Sequence, residues 1–134
     1  MSATQVCPCG RVDAKKRAVA YVSCCGRFVD HFDTTAAPDA EHLMRSRYSA
    51  FVLARTDYLL VTWHSSTRPA SLDFDADAKW LGLEVREHKT MGSDKSEVEF
   101  VARYRVDGRA VRMHERSRFV REDGRWFYVD GDQR

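Results

Sequence analysis

The chain has 134 residues and a mass of 15.4 kDa, which suits one domain with at most a small appendage. Its hydrophobic content of 43% can build a core and argues against a disordered chain. No apolar run approaches the roughly 18 residues of a membrane span, no signal peptide opens the chain, and a net charge of +2 does not by itself indicate nucleic acid, so we expect a cytoplasmic protein.

All four cysteines lie near the N-terminus, as the pairs Cys7/Cys9 and Cys24/Cys25. In a reducing compartment, paired cysteines bind a metal more often than they form disulfides. Neighbouring cysteines would also form only a strained bridge. Four thiolates suit tetrahedral Zn²⁺ and leave no open position for water. The sequence therefore predicts a structural zinc ion bound by these four residues.

Two alternatives to this site stay open from the spacing. The four cysteines could be free thiols, or His31 could replace one thiolate in a Cys₃His site. A site of four thiolates and one zinc carries a charge of −2. Basic residues close in sequence are expected to offset it, namely Arg11, Lys15, Lys16, Arg17 and Arg27.

The fragments "CPCG" and "YVSCCG" resemble the SEC-C motif, a zinc-binding element at the C-terminus of the SecA translocation ATPase and in many bacterial proteins. The stretches "LMRSRYSAFVLARTDYLLVTWHSSTRP" and "MHERSRFVREDGRWFYVDG" resemble the YchJ-like family of bacterial proteins without an assigned activity. The resemblance implies a SEC-C zinc element followed by a nuclear-transport-factor-like cone. This sequence departs from the usual SEC-C motif in the loop between the cysteine pairs, where "GRVDAKKRAVAYVS" replaces a shorter Gly-Ser-Gly-Lys-type loop.

The pattern predicts a zinc element over residues 1–33 and a cone domain over 34–134. A helix is predicted to follow Pro38, because apolar residues then recur at spacings of three and four. A second short helix is predicted from Thr56-Asp57 toward Trp63, and a helical turn over 73–78.

After Trp80 the hydrophobic period becomes two, which predicts strands over 81–86, 98–106, 111–119 and 126–130. Asp107-Gly108 and the residues 122–125 are typical of hairpin turns. Helices followed by an antiparallel meander predict an α+β fold with helices covering one face of the sheet.

Glu115 is the anomaly of the strand pattern. It lies in phase with Val111, Met113 and Phe119, so alternation places its carboxylate inside the cone. A buried charge needs a partner, and we expect an ion pair with Arg45 or Arg47 of the first helix. The functional alternative is a general acid or base at the floor of a pocket.

The opposite face of the sheet carries many arginines. Such a face can hold phosphates, although the glutamates among them favour a solvated, neutralised surface. The arginines concerned are Arg103, Arg105, Arg112, Arg116 and Arg118.

Two functions follow as hypotheses. The zinc element has no catalytic opening, so the sequence favours a binding module that docks a protein or ribosome surface over an enzyme. The alternative is a small-molecule binder or enzyme that uses the cone interior around Glu115. Fold alone does not decide between them, and the oligomeric state is left open.

Overall fold

The computed structural model describes residues 5–72 and 78–134. A short 3₁₀ turn, Tyr21–Ser23, and the helix α1, Gly26–Val29, belong to the N-terminal element. Two further helices follow, α2 over Ala40–Val52 and α3 over Thr56–Val61. The strands are β1 Lys79–Thr90, β2 Lys95–Val106, β3 Arg109–Glu122 and β4 Arg125–Gln133. They form one antiparallel sheet in the order β1-β2-β3-β4, so the predicted α+β fold is confirmed.

Helix α2 begins where its capping residue requires it to. The carboxylate of Asp39 accepts hydrogen bonds from the backbone nitrogen of His42 at 2.8 Å and from its ring at 2.7 Å. Burial raises the pKa of Asp39, but these hydrogen bonds outweigh it and hold the pKa below its usual range. Leu43 and Tyr48 are buried on the face toward the core, as their helical spacing predicts.

Helix α3 ends earlier than predicted. Its last residue is Val61, and Trp63 instead forms a parallel bridge with Tyr128 of β4. The sheet competes with the helix for the backbone groups after Val61, because the backbone nitrogen of Tyr128 donates to the carbonyl of Thr62 at 2.8 Å. Of the helical turn predicted over 73–78, residues 73–77 lie outside the described residues. No helix among the described residues is long and apolar enough to cross a membrane.

Two of the three hairpins of the sheet, β2-β3 and β3-β4, form where the turn residues predicted them. Asp107 and Asp123 have φ of 52°, and the glycine after each also has positive φ, which matches the right-handed twist of the flanking strands. A shift of register between Arg118 and Phe119 interrupts the pairing of β3 with β4. Irregularities of this kind bend a sheet, and the concave face of this one receives α2.

One cluster of buried side chains connects the N-terminal element to the cone. It runs from Cys9 and Phe28 through Leu43 and Tyr58 to Phe119. The four cysteines therefore pack within the same core as the helices. The domain boundary between residues 33 and 34 stays a prediction.

Candidate metal centre and binding cavity

The four predicted cysteine ligands lie together in the structure. Their sulfur atoms are all within 4.8 Å of one another, and the sulfurs of Cys9 and Cys24 are 3.6 Å apart. Tetrahedral Zn–S bonds of about 2.3 Å require sulfur–sulfur distances of about 3.8 Å. Each side chain is at most 3% exposed, and no disulfide joins them. The donor set thus fits a closed, four-coordinate metal site.

Two turns bring these sulfurs together. In the first, the backbone nitrogen of Gly10 donates to the carbonyl of Cys7 at 3.3 Å, and Gly10 has φ of 76°, which an L-residue adopts only with strain. In the second, Cys24 closes the 3₁₀ turn and Cys25 precedes α1. A backbone hydrogen bond of 2.9 Å from Cys7 to Val19 joins the strand segments that carry these turns.

Helix α2 supplies contacts around the cysteines that the sequence pattern did not assign. Arg45 Nη1 donates to the carbonyl of Cys9 at 3.2 Å, and the hydroxyl of Ser49 lies 3.6 Å from the sulfur of Cys7. These two residues are four apart, so the helical repeat places them on the same face. The spacing of Arg45 and Ser49 could have identified both residues from the sequence, but only if the packing of the cysteines against α2 had been known.

The five basic residues expected to offset the charge of the site behave differently. Arg27 donates to the carbonyl of Cys24 at 2.9 Å, so its expected proximity is confirmed. Arg17 instead pairs with Asp13 at 3.4 Å, and Arg11 lies 3.4 Å from the ring of His42. Lys15 and Lys16 are exposed at the tip of the loop.

Contacts among the thiols separate their pKa values. Hydrogen bonding with Cys24, then with Cys25 and Cys9, lowers the pKa of Cys7. Hydrogen bonding with Cys24 and Cys7 raises the pKa of Cys25. A divalent metal bound by Cys7, Cys9, Cys24 and Cys25 would replace the remaining protons, because its ligands must be thiolates. His31 is not part of this group of ligand atoms.

A second feature is a cavity of about 730 Å³ between α2 and the concave face of the sheet. Its size lies within the roughly 300–1,000 Å³ typical of small-molecule sites. Aromatic and aliphatic side chains form most of its wall, and Arg47 and Glu115 are the charged residues in the described lining. The aromatic lining residues are Tyr48, Phe51, Trp63, Trp80, Phe100, Tyr104, Phe119 and Tyr128.

Glu115 faces this cavity, so the inward phase predicted from alternation is confirmed. Its carboxylate accepts hydrogen bonds from the hydroxyls of Ser117 and Tyr128 and, at 2.8 Å, from the side-chain amide of Gln133. The backbone of Gly131 leaves the necessary space, because a Cβ there would lie 2.5 Å from Glu115 Oε2.

The predicted ion pair between Glu115 and Arg45 or Arg47 is wrong. Arg45 pairs with Glu41 at 3.1 Å, on the helix face toward the cysteines. Arg47 donates to the carbonyl of Leu59 at 2.9 Å, because carbonyls in the last turn of a helix lack intrahelical donors. Glu115 therefore finds its donors in the sheet, and its role as a general acid or base stays a prediction.

The arginines of the outer sheet face divide into two groups. Arg116 contacts Glu97 at 2.6 Å, Glu87 at 2.7 Å and Glu99 at 3.1 Å, and these contacts, that with Glu97 first, raise its pKa. Arg118 pairs with two aspartates of β4. Three others are exposed and form no ion pair with the described residues: Arg103, Arg105 and Arg112. Contact with nucleic acid stays a prediction, and the paired arginines favour a neutralised face.

The fold and the cysteine group together define an NTF2-like α+β domain with a SEC-C-type element at its N-terminus. Residues 39–131 match the family described as "YchJ, middle NTF2-like domain". UPF0225 proteins are 62% identical in Polaromonas sp. (96% of this chain, 93% of the relative) and 54% identical in Bordetella parapertussis (99% and 96%). The chain therefore belongs to the YchJ-like UPF0225 family, whose activity is unassigned.

Solved structures show the same arrangement. A SEC-C motif containing protein from Rhodopseudomonas palustris is 32% identical, with a TM-score of 0.78 over 96% of this chain and 98% of that one. Another, from Psychrobacter arcticus, is also 32% identical, with a TM-score of 0.79 over 96% of this chain and 82% of that one. The SEC-C label of both proteins agrees with a metal-binding cysteine group here.

Proposed function

We propose that this protein binds a small apolar molecule in its cone and uses a structural zinc ion to fix the N-terminal element against α2. The observation that carries the binding function is the cavity itself. It holds Arg47 and Glu115 in an apolar wall without an ion pair between them. If Arg47 and Glu115 had only a structural role, we would expect them to form an ion pair with each other and to leave no cavity between α2 and the sheet. No reaction is assigned to Glu115.

Zinc is the metal that the donor set supports best. Four buried sulfurs with no oxygen ligand suit a soft or borderline cation, and the sulfur separations suit a tetrahedron. A closed site of this kind stabilises structure and supplies no reactive water. The metal would be held by Cys7, Cys9, Cys24 and Cys25.

The test of the binding function uses a neutral fluorescent probe, N-phenyl-1-naphthylamine, titrated into the zinc-loaded protein. Ala102 lines the cavity, so Ala102→Leu should weaken probe binding by about tenfold or more through loss of volume. Ala110→Leu is the matched control, because Ala110 is exposed on β3 and does not line the cavity. Equal binding by both variants, or no binding by the native protein, would refute the cavity as the site.

A second candidate function, docking to a ribosome or protein surface, has its own support. Three exposed valines are concentrated in the N-terminal element, Val6 at 55%, Val12 at 51% and Val22 at 46%. The cationic residues Lys15 and Lys16 are exposed on the loop between Val12 and Ala18, which pair as an isolated bridge. Apolar side chains rimmed by charge are typical of interaction sites.

Cosedimentation with ribosomes at low and high salt tests this docking. Replacing Lys15, Lys16 and Arg17 by glutamine should abolish a salt-sensitive interaction while leaving zinc content unchanged. The matched control makes the same change of charge at Arg103, Arg105 and Arg112 on the outer sheet face. Equal loss by both triple variants would indicate unspecific attraction to RNA, and no binding by the native protein would remove the docking candidate.

A further inference from the structure

Arg47 is the most unusual charged group of the cavity. Its side chain is only 6% exposed, yet no carboxylate of the described residues lies within ion-pair distance. Nη1 donates to the carbonyl of Leu59 at 2.9 Å and to the hydroxyl of Thr62 at 2.8 Å. Nε and Nη2 have no hydrogen-bond partner among the described residues. The guanidinium of Arg47 lines the cavity, and its two unbonded nitrogens can donate hydrogen bonds to an acceptor on a ligand.

The surroundings hold this cation in place without neutralising it. The guanidinium lies 4.6 Å from the ring centre of Tyr128 and 5.2 Å from that of Trp63, which stabilises the charge through the ring faces. Burial lowers the pKa of Arg47 to about 10, so the side chain still carries its charge at neutral pH. Burying a cation without an anionic partner is costly, and a ligand anion would recover part of that cost.

Glu115 does not supply that anion by direct contact. Its two oxygens already accept from Ser117, Tyr128 and Gln133. Among the described residues, Tyr128 contacts both groups, since its hydroxyl donates to Glu115 and its ring lies under the guanidinium. The charge of Glu115 also acts on Arg47 from beyond ion-pair distance, and it ranks behind burial among the effects on the pKa of Arg47. The cavity thus offers spare cationic donors, whereas Glu115, the acidic residue among its described lining residues, already accepts three hydrogen bonds.

The side chains that line the cavity indicate which kind of anion could bind to Arg47. Arg47 is the single basic residue among the described lining residues, so a doubly charged phosphate would find no second cation. The ring of Trp80 packs against those of Tyr48, Phe51 and Tyr104 at centroid distances of 5.5, 5.8 and 5.0 Å. Such a wall favours an apolar or aromatic body. A carboxylate matches the planar fork of a guanidinium with two parallel hydrogen bonds.

We infer that the cone binds a monocarboxylate with an aromatic or aliphatic body, and that Arg47 is the residue that binds its carboxylate. This inference rests on the proposed binding function of the cavity and specifies its ligand class. The carboxylate of Glu115 then repels the carboxylate of the ligand and limits the affinity of the cavity for anions. Removing its charge is expected to improve binding rather than weaken it.

The experiment compares three probes that share one body: phenylpropanoate, phenylpropanamide and phenylpropylamine. Binding to the zinc-loaded protein is measured by calorimetry and by amide chemical shifts. We expect the carboxylate to bind about tenfold or more tightly than the amide, because it gains charge-assisted hydrogen bonds. Arg47→Met should abolish this preference, and Glu115→Gln should tighten binding of the carboxylate.

The Glu115→Gln variant keeps the inference testable if Arg47→Met fails to fold through loss of its contacts with α3. Tightest binding of the amine, with loss of affinity on Glu115→Gln, would overturn the inference in favour of a cation site. Equal affinity for carboxylate and amide, or no carboxylate binding while N-phenyl-1-naphthylamine still binds, would overturn it and leave the binding function standing. Failure of every probe, the neutral dye included, would overturn both.

Discussion

Removal of the metal should lower the melting temperature of this protein by an amount that can be worked out. The perturbation is a chelator added to protein purified without supplementary metal. Because the four cysteines are at most 3% exposed and their sulfurs lie within 4.8 Å of one another, the folded chain should bind zinc far better than the unfolded one. With free zinc buffered a thousandfold above its Kd, this difference stabilises the fold by about 4 kcal/mol.

The corresponding shift follows from the size of the chain. An unfolding entropy of about 2.1 cal/mol/K per residue gives about 0.28 kcal/mol/K for this chain of 134 residues. Dividing the stabilisation by this entropy gives a shift of about 15 °C. Since the cysteines share one core with Phe28 and Leu43, we expect the loss to reach α1 and α2.

Differential scanning calorimetry in this zinc buffer and in excess chelator measures the shift, and elemental analysis of protein purified without added metal measures the zinc. A shift below about 3 °C, or zinc below about a tenth of an equivalent with four titratable thiols, would refute the reasoning. His31→Gln is the matched control. It should keep the zinc and the shift if the four cysteines are the ligands, whereas loss of zinc would identify His31 as a ligand.

Three further predictions test the supports of the two sites. Ser49→Ala removes the hydroxyl 3.6 Å from the sulfur of Cys7 and should lower zinc affinity by about 10–100-fold in competition with a chromophoric chelator, whereas unchanged affinity would contradict a supporting role. Gly131→Ala places a Cβ 2.5 Å from Glu115 Oε2 and should cost about 1–3 kcal/mol in urea unfolding. The double variant with Glu115→Ala should recover most of this loss, and strict additivity would exclude the clash. Asp39→Ala removes the cap of α2 and should cost about 1 kcal/mol near pH 7. Because the pKa of Asp39 is lowered in the fold, its contribution is fully present above about pH 4 and is lost as the pH falls through the folded pKa, so the native and variant stabilities should converge in acid.

Local rules predicted those features that depend on the chain's own periodicity. Alternation along β3 was enough to turn Glu115 toward the interior, since successive side chains of a strand point to opposite faces. Turn chemistry located the hairpin at Asp107 for a similarly local reason. The end of α3 was missed because the carbonyl of Thr62 pairs with a residue of β4, far along the chain.

The convergence of the four cysteines was predictable because a pairwise spacing of cysteines has few chemical uses. The helix face behind them was not, because nothing in the spacing says that the cysteines pack on α2. Only the folded chain brings Ser49 to Cys7, across a sequence separation of 42 residues. The partner of Arg17 is a local one by contrast, since Asp13 lies only four residues before it.

The sequence by itself determined that four cysteines would converge and that a carboxylate would face the cone interior. Tertiary structure alone decided which partners those groups have. Helix α2 carries Arg47 to the last turn of α3, where open carbonyls compete for its donors, while register and the small size of Gly131 direct Glu115 to donors in the sheet. The direction of a side chain is set by its own backbone, whereas its partner is set by contacts between distant elements. Those contacts place Arg47 beside the cavity without a carboxylate partner among the described residues.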